Sequence, residues 1–309
     1  MSDHVLIIGA TLLDTKGKPI AGLDNHTSNP AHIRSTRGGT ARNVAENLAL
    51  LGADVILISA VGDDPTGRQL IEPTAAAGVD VDHVVTVSGK NSGAYIALLD
   101  PDGSLSVALD DVTVMEAITA DYLLQHEALF RDAAMIMMDG SLQPDAMKTV
   151  VSLAQKYHIP LCADPSSARL AHKLRPFLPQ LHLVVPNEQE AMELCQIYLF
   201  ADGKVENLDL AQELMRRGVE TAIVTLADFG LDYATSDEMG YIPPSYSEQV
   251  DSTGTGDAVT AAVMFGMLNQ LSTVESIRLG AAAASLTLQT GETVVPDLSL
   301  DMLYEHLIV

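Results

Sequence analysis

The stretch Asp251-Ser252-Thr253-Gly254-Thr255-Gly256-Asp257 runs directly into Ala258-Val259-Thr260-Ala261-Ala262-Val263-Met264-Phe265. Glycines and small hydroxyl residues permit a tight turn with exposed backbone N–H groups. The apolar run after it reads as a buried helix. A helix that starts there aims its free N–H groups and its positive dipole end at the turn, which makes an anion site. Asp257 stands at the mouth of that site. A carboxylate there repels anions, so packing explains it poorly. A general base beside a transferring phosphoryl group explains it well. An Asp N-cap on an ordinary helix is the competing reading, but Asp251 or Ser252 can cap and leave Asp257 for chemistry.

Outward from this turn, apolar runs alternate with helical periods. Val5–Ile8, Val55–Val61, Met135–Met138, Leu161–Asp164, Leu183–Val185 and Ala222–Leu226 read as buried strands. Thr40–Leu51, Thr66–Ala77, Pro144–Tyr157, Glu188–Leu194 and Leu208–Arg217 read as helices. This alternation implies an α/β fold with a mostly parallel sheet and helices on both faces. Residues 15–37 are polar and lack a helical period. Residues 83–110 read as three strands, Val84–Val87, Ala94–Leu99 and Leu105–Leu109, with Asp102-Gly103 as a hairpin turn. Two insertions, about 15–37 and 91–110, do not fit the parallel sheet and suggest a small β lid. Residues 1–309 are then expected to form one domain.

The 309 residues are 47% hydrophobic, ample for a large core, and carry a net charge of −24. Such a surface repels nucleic acid polymers and anionic membranes, and binding an anionic nucleotide needs a local device. Cys162 and Cys195 show no metal-ligand spacing and read as reduced, buried thiols. The first residues lack a basic, signal-like leader, and the apolar runs are too short to span a bilayer. A cytoplasmic protein is expected. There is no Gly-x-x-x-x-Gly-Lys-[Ser/Thr] loop, no Gly-x-Gly-x-x-Gly after the first strand and no Gly-x-Ser-x-Gly elbow.

Further constellations carry chemistry. In Arg37-Gly38-Gly39-Thr40-Ala41-Arg42-Asn43, two glycines precede a helix and let the backbone approach a ligand, while Asn43 offers a donor and an acceptor suited to sugar hydroxyls. A plain helix start is an equal alternative. Asp14 is placed at the C-terminal end of the first parallel strand, where α/β folds bind ligands, or else is a turn aspartate. Asp64 caps the helix after Asp63-Asp64-Pro65. Pro186-Asn187-Glu188-Gln189-Glu190 is either a phosphate-metal segment or a capping arrangement. Gly280-Ala281-Ala282-Ala283-Ala284-Ser285 reads as a helix that admits a flat base, or as close helix packing.

Together these segments resemble the ribokinase-like (PfkB) carbohydrate kinases. Residues 251–257 are similar to the family's Asp-Thr-x-Gly-Ala-Gly-Asp, with Ser252 and Thr255 as departures, and 37–43 to its Pro-Gly-Gly-x-x-x-Asn, with Arg37 for Pro. The resemblance runs from Gly9 to Pro296 and implies a three-layer α/β/α fold and a kinase that uses ATP and Mg²⁺. It implies Asp257 as the base, with the amides of Gly254, Thr255 and Gly256 as the anion hole. It implies sugar contacts from Asp14, Gly38, Gly39 and Asn43. Asp139 stands where many members carry Glu and is a candidate ligand. Glu190 would hold Mg²⁺ through water and Asn187 would place phosphates. Thr225, Ala227 (where Gly is usual) and Gly230 would contact the nucleotide, and Ala282 and Ser285 its base. A monovalent cation, usually K⁺, is implied beside the anion hole on Asp251 and the Thr253 carbonyl. A homodimer through the exposed lid sheet is implied as well.

Finer marks are Ser28-Asn29-Pro30, Arg42 to Gly52, Ser92 to Asp100, Ala117 to Leu123 and Pro296 to Ser299. They are similar to the bacterial branch that phosphorylates the 5′-hydroxyl of pseudouridine. That implies uracil contacts from Ser28 and Asn29, with Thr40 or Tyr95 nearby. Ribose, a ketohexose phosphate and adenosine are the other acceptors in view. A phosphorylated acceptor asks for extra basic residues, and only Arg34 and Arg37 are close, which favours a neutral nucleoside. Readings from other classes are a nucleoside sensor without turnover and a dinucleotide-binding oxidoreductase.

Overall fold

Along β1 (His4–Ile8), side chains alternate between two cores. Val5 and Ile7 join one apolar cluster with helix α1 (Thr40–Leu50), and Leu6 and Ile8 join another on the opposite face. A strand buried on both faces reads as a continuous apolar run, which is why His-Val-Leu-Ile-Ile shows no polar alternation. The computed structural model describes residues 4–24, 26–197, 209–226, 230–244 and 251–307.

The remaining strands are β2 (Leu12–Pro19), β3 (Ala31–Gly38), β4 (Val55–Gly62), β5 (Val84–Val87), β6 (Gly93–Leu99), β7 (Leu105–Asp111), β8 (Ala133–Asp139), β9 (Leu161–Asp164), β10 (Leu183–Val184), β11 (Thr221–Thr225), β12 (Leu231–Thr235) and β13 (Met239–Ile242). After α1 come α2 (Pro65–Ala76), α3 (Ala120–Gln125), α4 (Glu127–Arg131), α5 (Pro144–Tyr157), α6 (Ala168–Ala171), α7 (Glu188–Leu194), α8 (Leu210–Arg216), α9 (Thr255–Leu268), α10 (Thr273–Leu288) and α11 (Leu300–Glu305). Nine strands form one sheet in the order β13-β12-β11-β10-β9-β8-β1-β4-β5, in which every pairing is parallel except β11–β12 and β12–β13, so that β12 alone runs against the others. Residues of α5 and α8 pack on one face; α1, α9 and α10 pack on the other. The result is a three-layer α/β/α arrangement. A separate sheet has the order β3-β2-β6-β7. Among the described residues no helix is long and apolar enough to cross a membrane.

The alternation places most elements within a residue or two of their sequence-based limits, and α5 on its expected limits. Val84–Val87 lies outside both expected insertions and pairs in parallel with β4 as the edge of the large sheet. The antiparallel pair β12–β13 was not anticipated, although Leu231 and Tyr233 alternate with Asp232 as strand residues do. Residues 12–19 and 31–38, largely within a segment that reads as irregular strands and loops of the lid, are regular strands of the smaller sheet. Their polar composition follows from a thin sheet that buries little on either face.

The chain turns from β1 to β4 on one side and later returns to β8 on the other, so the crevice at the C-terminal ends of β1 and β8 is the topological switch point. Asp139, the last residue of β8, closes its floor. Its Oδ2 accepts from the amides of Ala10 (2.7 Å) and Ala41 (3.3 Å), and its Oδ1 from the Ser141 amide (2.9 Å) and hydroxyl. This one carboxylate therefore ties β8 to the end of β1 and to the first turn of α1. Its acceptor sites are filled, so Asp139 is a brace rather than the ligand expected from its position. Asp139→Ala leaves three buried amides without a partner and is expected to lower the unfolding free energy by about 3 kcal/mol or more, measured by urea denaturation.

Candidate active site

The turn at 251–254 feeds α9 through Gly254, whose φ of +82° suits only glycine and whose Cβ, if present, would stand 2.1 Å from the Thr293 carbonyl oxygen. Gly254 is the N-cap, and no side chain caps this helix. Neither Asp251 nor Ser252 takes the capping place. The first-turn amides of Gly256 and Asp257 have no carbonyl four residues back within the helix. Space is open at the Gly256 Cα. The buried Thr255 hydroxyl lacks a partner. An uncapped helix start with an orphaned hydroxyl and an open approach fits a phosphate oxyanion.

Asp257 lies in this first turn and remains partly exposed. Asn43 of α1 donates from Nδ2 to its Oδ2 at 2.6 Å. Burial pushes the Asp257 carboxyl up to about 6, while Asn43, Arg42 and the Thr40 hydroxyl hold it down. Asn43 is oriented in turn by Arg42, which is 1% exposed and donates to the Asn43 Oδ1. The Arg42 guanidinium also pairs with Glu46 and donates to the carbonyls of Gly38 (2.8 Å) and Arg37 (2.9 Å) and to the Thr293 hydroxyl (3.1 Å). Burial opposes its charge; Glu46 supports it. A buried cation of this kind is tolerable because each of its three nitrogens has an acceptor and Glu46 supplies the opposite charge.

The two glycines before α1 serve the protein's own backbone. A Cβ on Gly38 would stand 2.3 Å from Asp14 Oδ2, and one on Gly39 (φ +97°) 2.3 Å from the Ala10 carbonyl oxygen. Asp14 itself lies on β2 in the smaller sheet, not at the end of β1 as expected, and is 6% exposed. Burial and the charge of Asp257 push it up to about 7. Tyr95 stands opposite Asp14 in the parallel β2–β6 register, its hydroxyl raised by burial and by the Asp14 charge.

On the far side of the turn, Asn187 and Glu190 form a reciprocal capping box at the start of α7, with bonds of 2.9 and 3.0 Å. The expected competitor is therefore present. It leaves Glu190 buried, with its carboxyl pushed up to about 7 by burial and by Asp257. Thr225 donates its amide to the Pro186 carbonyl and so sits beside Asn187. Gly230 leaves room for the Tyr241 ring. Ala227 lies outside the described residues.

Asp164, at the end of β9, escaped the sequence reading. It is buried, and burial with the charges of Asp257 and Glu190 pushes it well above the usual carboxylate range. An acidic residue closing an apolar parallel strand was the available signal. Asp164, Glu190 and Asp257 feel one another's charge, but among the described residues no group of three His, Cys, Asp or Glu is close enough to hold a metal ion directly; Mg²⁺ would therefore rely on few direct carboxylates and on water and phosphate oxygens.

Other expected contacts are not brought here. Asn29 uses its amide within its own loop, accepting from the Asp24 amide and donating to the carbonyls of Asp24 and Thr27. Ser28 is exposed in the same loop. Ala282 is fully buried in a cluster with Ala258, Leu286 and Val295, so it packs α10 on α9 and has no surface for a base. Ser285 is likewise buried in α10. The Asp251 place expected to hold K⁺ is taken by Lys16, whose ammonium lies 2.5 and 2.7 Å from its two oxygens. Against the effect of burial, this contact and the Thr253 amide hold the Asp251 carboxyl below its ordinary range.

A profile described as "pfkB family carbohydrate kinase" matches residues 2–299. Pseudouridine kinase from Escherichia coli is 34% identical over 96% of this chain and 94% of its own length. Guanosine-inosine kinase from Exiguobacterium acetylicum is 28% identical over 96% and 98%. The solved structure of Arabidopsis thaliana ribokinase with ribose and ATP superposes with a TM-score of 0.78 at 21% identity, covering 100% of both chains.

The raised carboxyls make a stability prediction. A folded-state value near 7 at Asp14 means that the native state binds the proton more tightly than the unfolded chain does. The associated stability is present at acid pH and lost as pH rises through about 7. Asp14→Asn is therefore expected to raise the melting temperature over wild type at pH 8, with the difference shrinking towards pH 5, in paired calorimetric scans.

Proposed function

The chain belongs to the pfkB family of carbohydrate kinases, and from that premise we propose that it moves the γ-phosphoryl group of ATP to the 5′-hydroxyl of a nucleoside, pseudouridine being the favoured acceptor. The observation that carries this reading is the placement of Asp257: a partly exposed carboxylate at an uncapped helix start, held by Asn43 and within reach of the charge of Asp14. Asp257 takes the hydroxyl proton as the acceptor oxygen forms its bond to phosphorus and the bond to the leaving ADP oxygen breaks. The amides of Gly254 and Gly256 stabilise charge on the transferred group, and need no reorganisation because the backbone is already fixed; the Thr255 amide, expected to share that role, instead donates to the Ser252 carbonyl at 3.3 Å. Asp14, with Asn43 and the backbone at Gly38 and Gly39, accepts and orients sugar hydroxyls. Tyr95, opposite Asp14 in the sheet register, and Thr40, whose hydroxyl touches Asp257, are the residues we assign to the base, whereas Ser28 stays in its own exposed loop. Thr225, Asn187 and Gly230 border the nucleotide.

Mg²⁺, when bound, neutralises phosphate charge; Glu190 would hold it through water, with Asp164 close by. Hard oxygen donors and few direct carboxylates suit that ion. A neutral acceptor is supported by the pairing of the nearby arginines. Arg34 bonds Glu292 at 2.8 Å and Arg37 bonds Glu46 at 3.4 Å, so neither is uncommitted for a substrate phosphate. The 34% identity to a pseudouridine kinase supports the same choice. Cys162 and Cys195 are buried free thiols, in keeping with a cytoplasmic setting.

The smaller sheet has two unlike faces. Cross-strand partners share a face. Asp14, Tyr95 and Asp110 form one row, and Arg34, Lys16 and Ala97 the next. The opposite face carries Ile33, Ile96, Val107 and Leu109, all exposed. We propose that a second copy covers that apolar face.

Two outcomes are expected. Asp257→Asn lowers kcat by about 10²–10⁴-fold with ATP, Mg²⁺ and pseudouridine, and wild-type kcat/KM rises with pH through about 6, because the base must be deprotonated. A variant within threefold of wild type would remove the assignment. In sedimentation, wild type runs as a dimer and the Ile33→Asp, Leu109→Asp double variant as a monomer.

A further inference from the structure

Lys16 and Asp251 are 235 residues apart in sequence, yet the Lys16 ammonium is placed against both oxygens of the Asp251 carboxylate and against the Thr253 hydroxyl. An ammonium has three protons, and these three acceptors use them all. Both partners are largely covered, with 17% of the Lys16 side chain and 23% of Asp251 exposed. Asp251 Oδ1 also accepts from the Thr253 amide at 2.9 Å, so the same carboxylate shapes the turn that delivers Gly254 to the start of α9. A free monovalent cation at Asp251 would meet this ammonium at short range and be repelled.

We infer that Lys16 is a positioning residue for phosphoryl transfer, a tethered cation that holds the 251–254 turn in place of a free monovalent ion, so that turnover is independent of K⁺. The inference rests on the kinase reading above. Lys16 comes from β2, two residues beyond Asp14 and on the same face of the smaller sheet. The acceptor-side strand and the phosphate-side turn are thereby joined by one ion pair. Arg34 with Glu292, and the Thr293 hydroxyl with the Arg37 carbonyl, join β3 to the loop behind Gly254 in the same way. The smaller sheet is thus fastened to both loops that form the cradle, and among the described residues it is Lys16 whose fastening places a positive charge against the turn itself.

The test compares wild type and Lys16→Met in potassium, sodium and choline chloride, by turnover and by melting temperature. Wild type is expected to keep its rate within about twofold and its melting temperature unchanged across the three salts. Lys16→Met is expected to lose kcat on the order of 10²-fold in choline, since a small misplacement of the reacting groups costs that much. K⁺ or NH₄⁺ is expected to recover most of the loss and to raise the melting temperature of the variant alone. A wild-type enzyme that needs K⁺ overturns the inference, as does a Lys16→Met variant that runs at the wild-type rate in choline. If wild type phosphorylates no nucleoside or sugar, the kinase reading fails, and the melting temperatures still decide whether Lys16 excludes the ion. The wild-type salt series decides the matter even if the variant does not fold.

Discussion

Asp14, Asp164, Glu190 and Asp257 converge at the carboxyl edge of one sheet, and each holds its proton more tightly than a solvated carboxylate does. Like charges in a poorly solvated cleft repel strongly, and burial adds to the penalty for each. Much of the surrounding construction answers that repulsion. Arg42 is fully buried beside two of these acids, and Asn43 donates to one of them. The positive end of α9 points into the same space. Charge strain that is left over favours a divalent cation and a bound anion together, which is the combination a Mg²⁺–nucleotide complex brings.

The crevice stays open to this chemistry because its floor is fixed separately. Asp139 lies only a strand away from the acidic group, but its oxygens are consumed by backbone amides of β1, α1 and the residues after β8. It therefore acts on the protein rather than on a ligand. Gly9 takes part in the same arrangement, since a Cβ there would stand 2.2 Å from the Asp139 carboxyl. Gly38, Gly39 and Gly254 show the same logic at three other contacts. Each lets a carbonyl or carboxylate approach where a side chain would block it.

Much of the large sheet could be read from the chain because burial on both faces leaves a plain signature: apolar runs of strand length separated by helical periods. The turn at 251–257 was legible for a related reason. Glycines, small hydroxyls and two acids before an apolar helix favour a backbone cradle over an ordinary capped helix start. Asp164 could have been found as an acid that ends an apolar parallel strand, the kind of place that Asp139 also holds. Asn187 and Glu190 were seen as either site or cap, and the fold makes them a cap whose acid also faces the acidic group.

Local pattern thus determined the α/β class, the two-part smaller sheet and the position of the anion cradle, because these follow from periodicity, turn chemistry and helix ends within a dozen residues. Tertiary structure decided the pairings between distant segments: Lys16 with Asp251, Arg42 with Thr293, Asp139 with Ala10, Asp14 beside Gly38. It also decided that Ala282 packs a core and that the Asn29 amide is spent on its own loop. Such outcomes depend on which side chains the closed fold brings within hydrogen-bond reach, and no local periodicity encodes that distance.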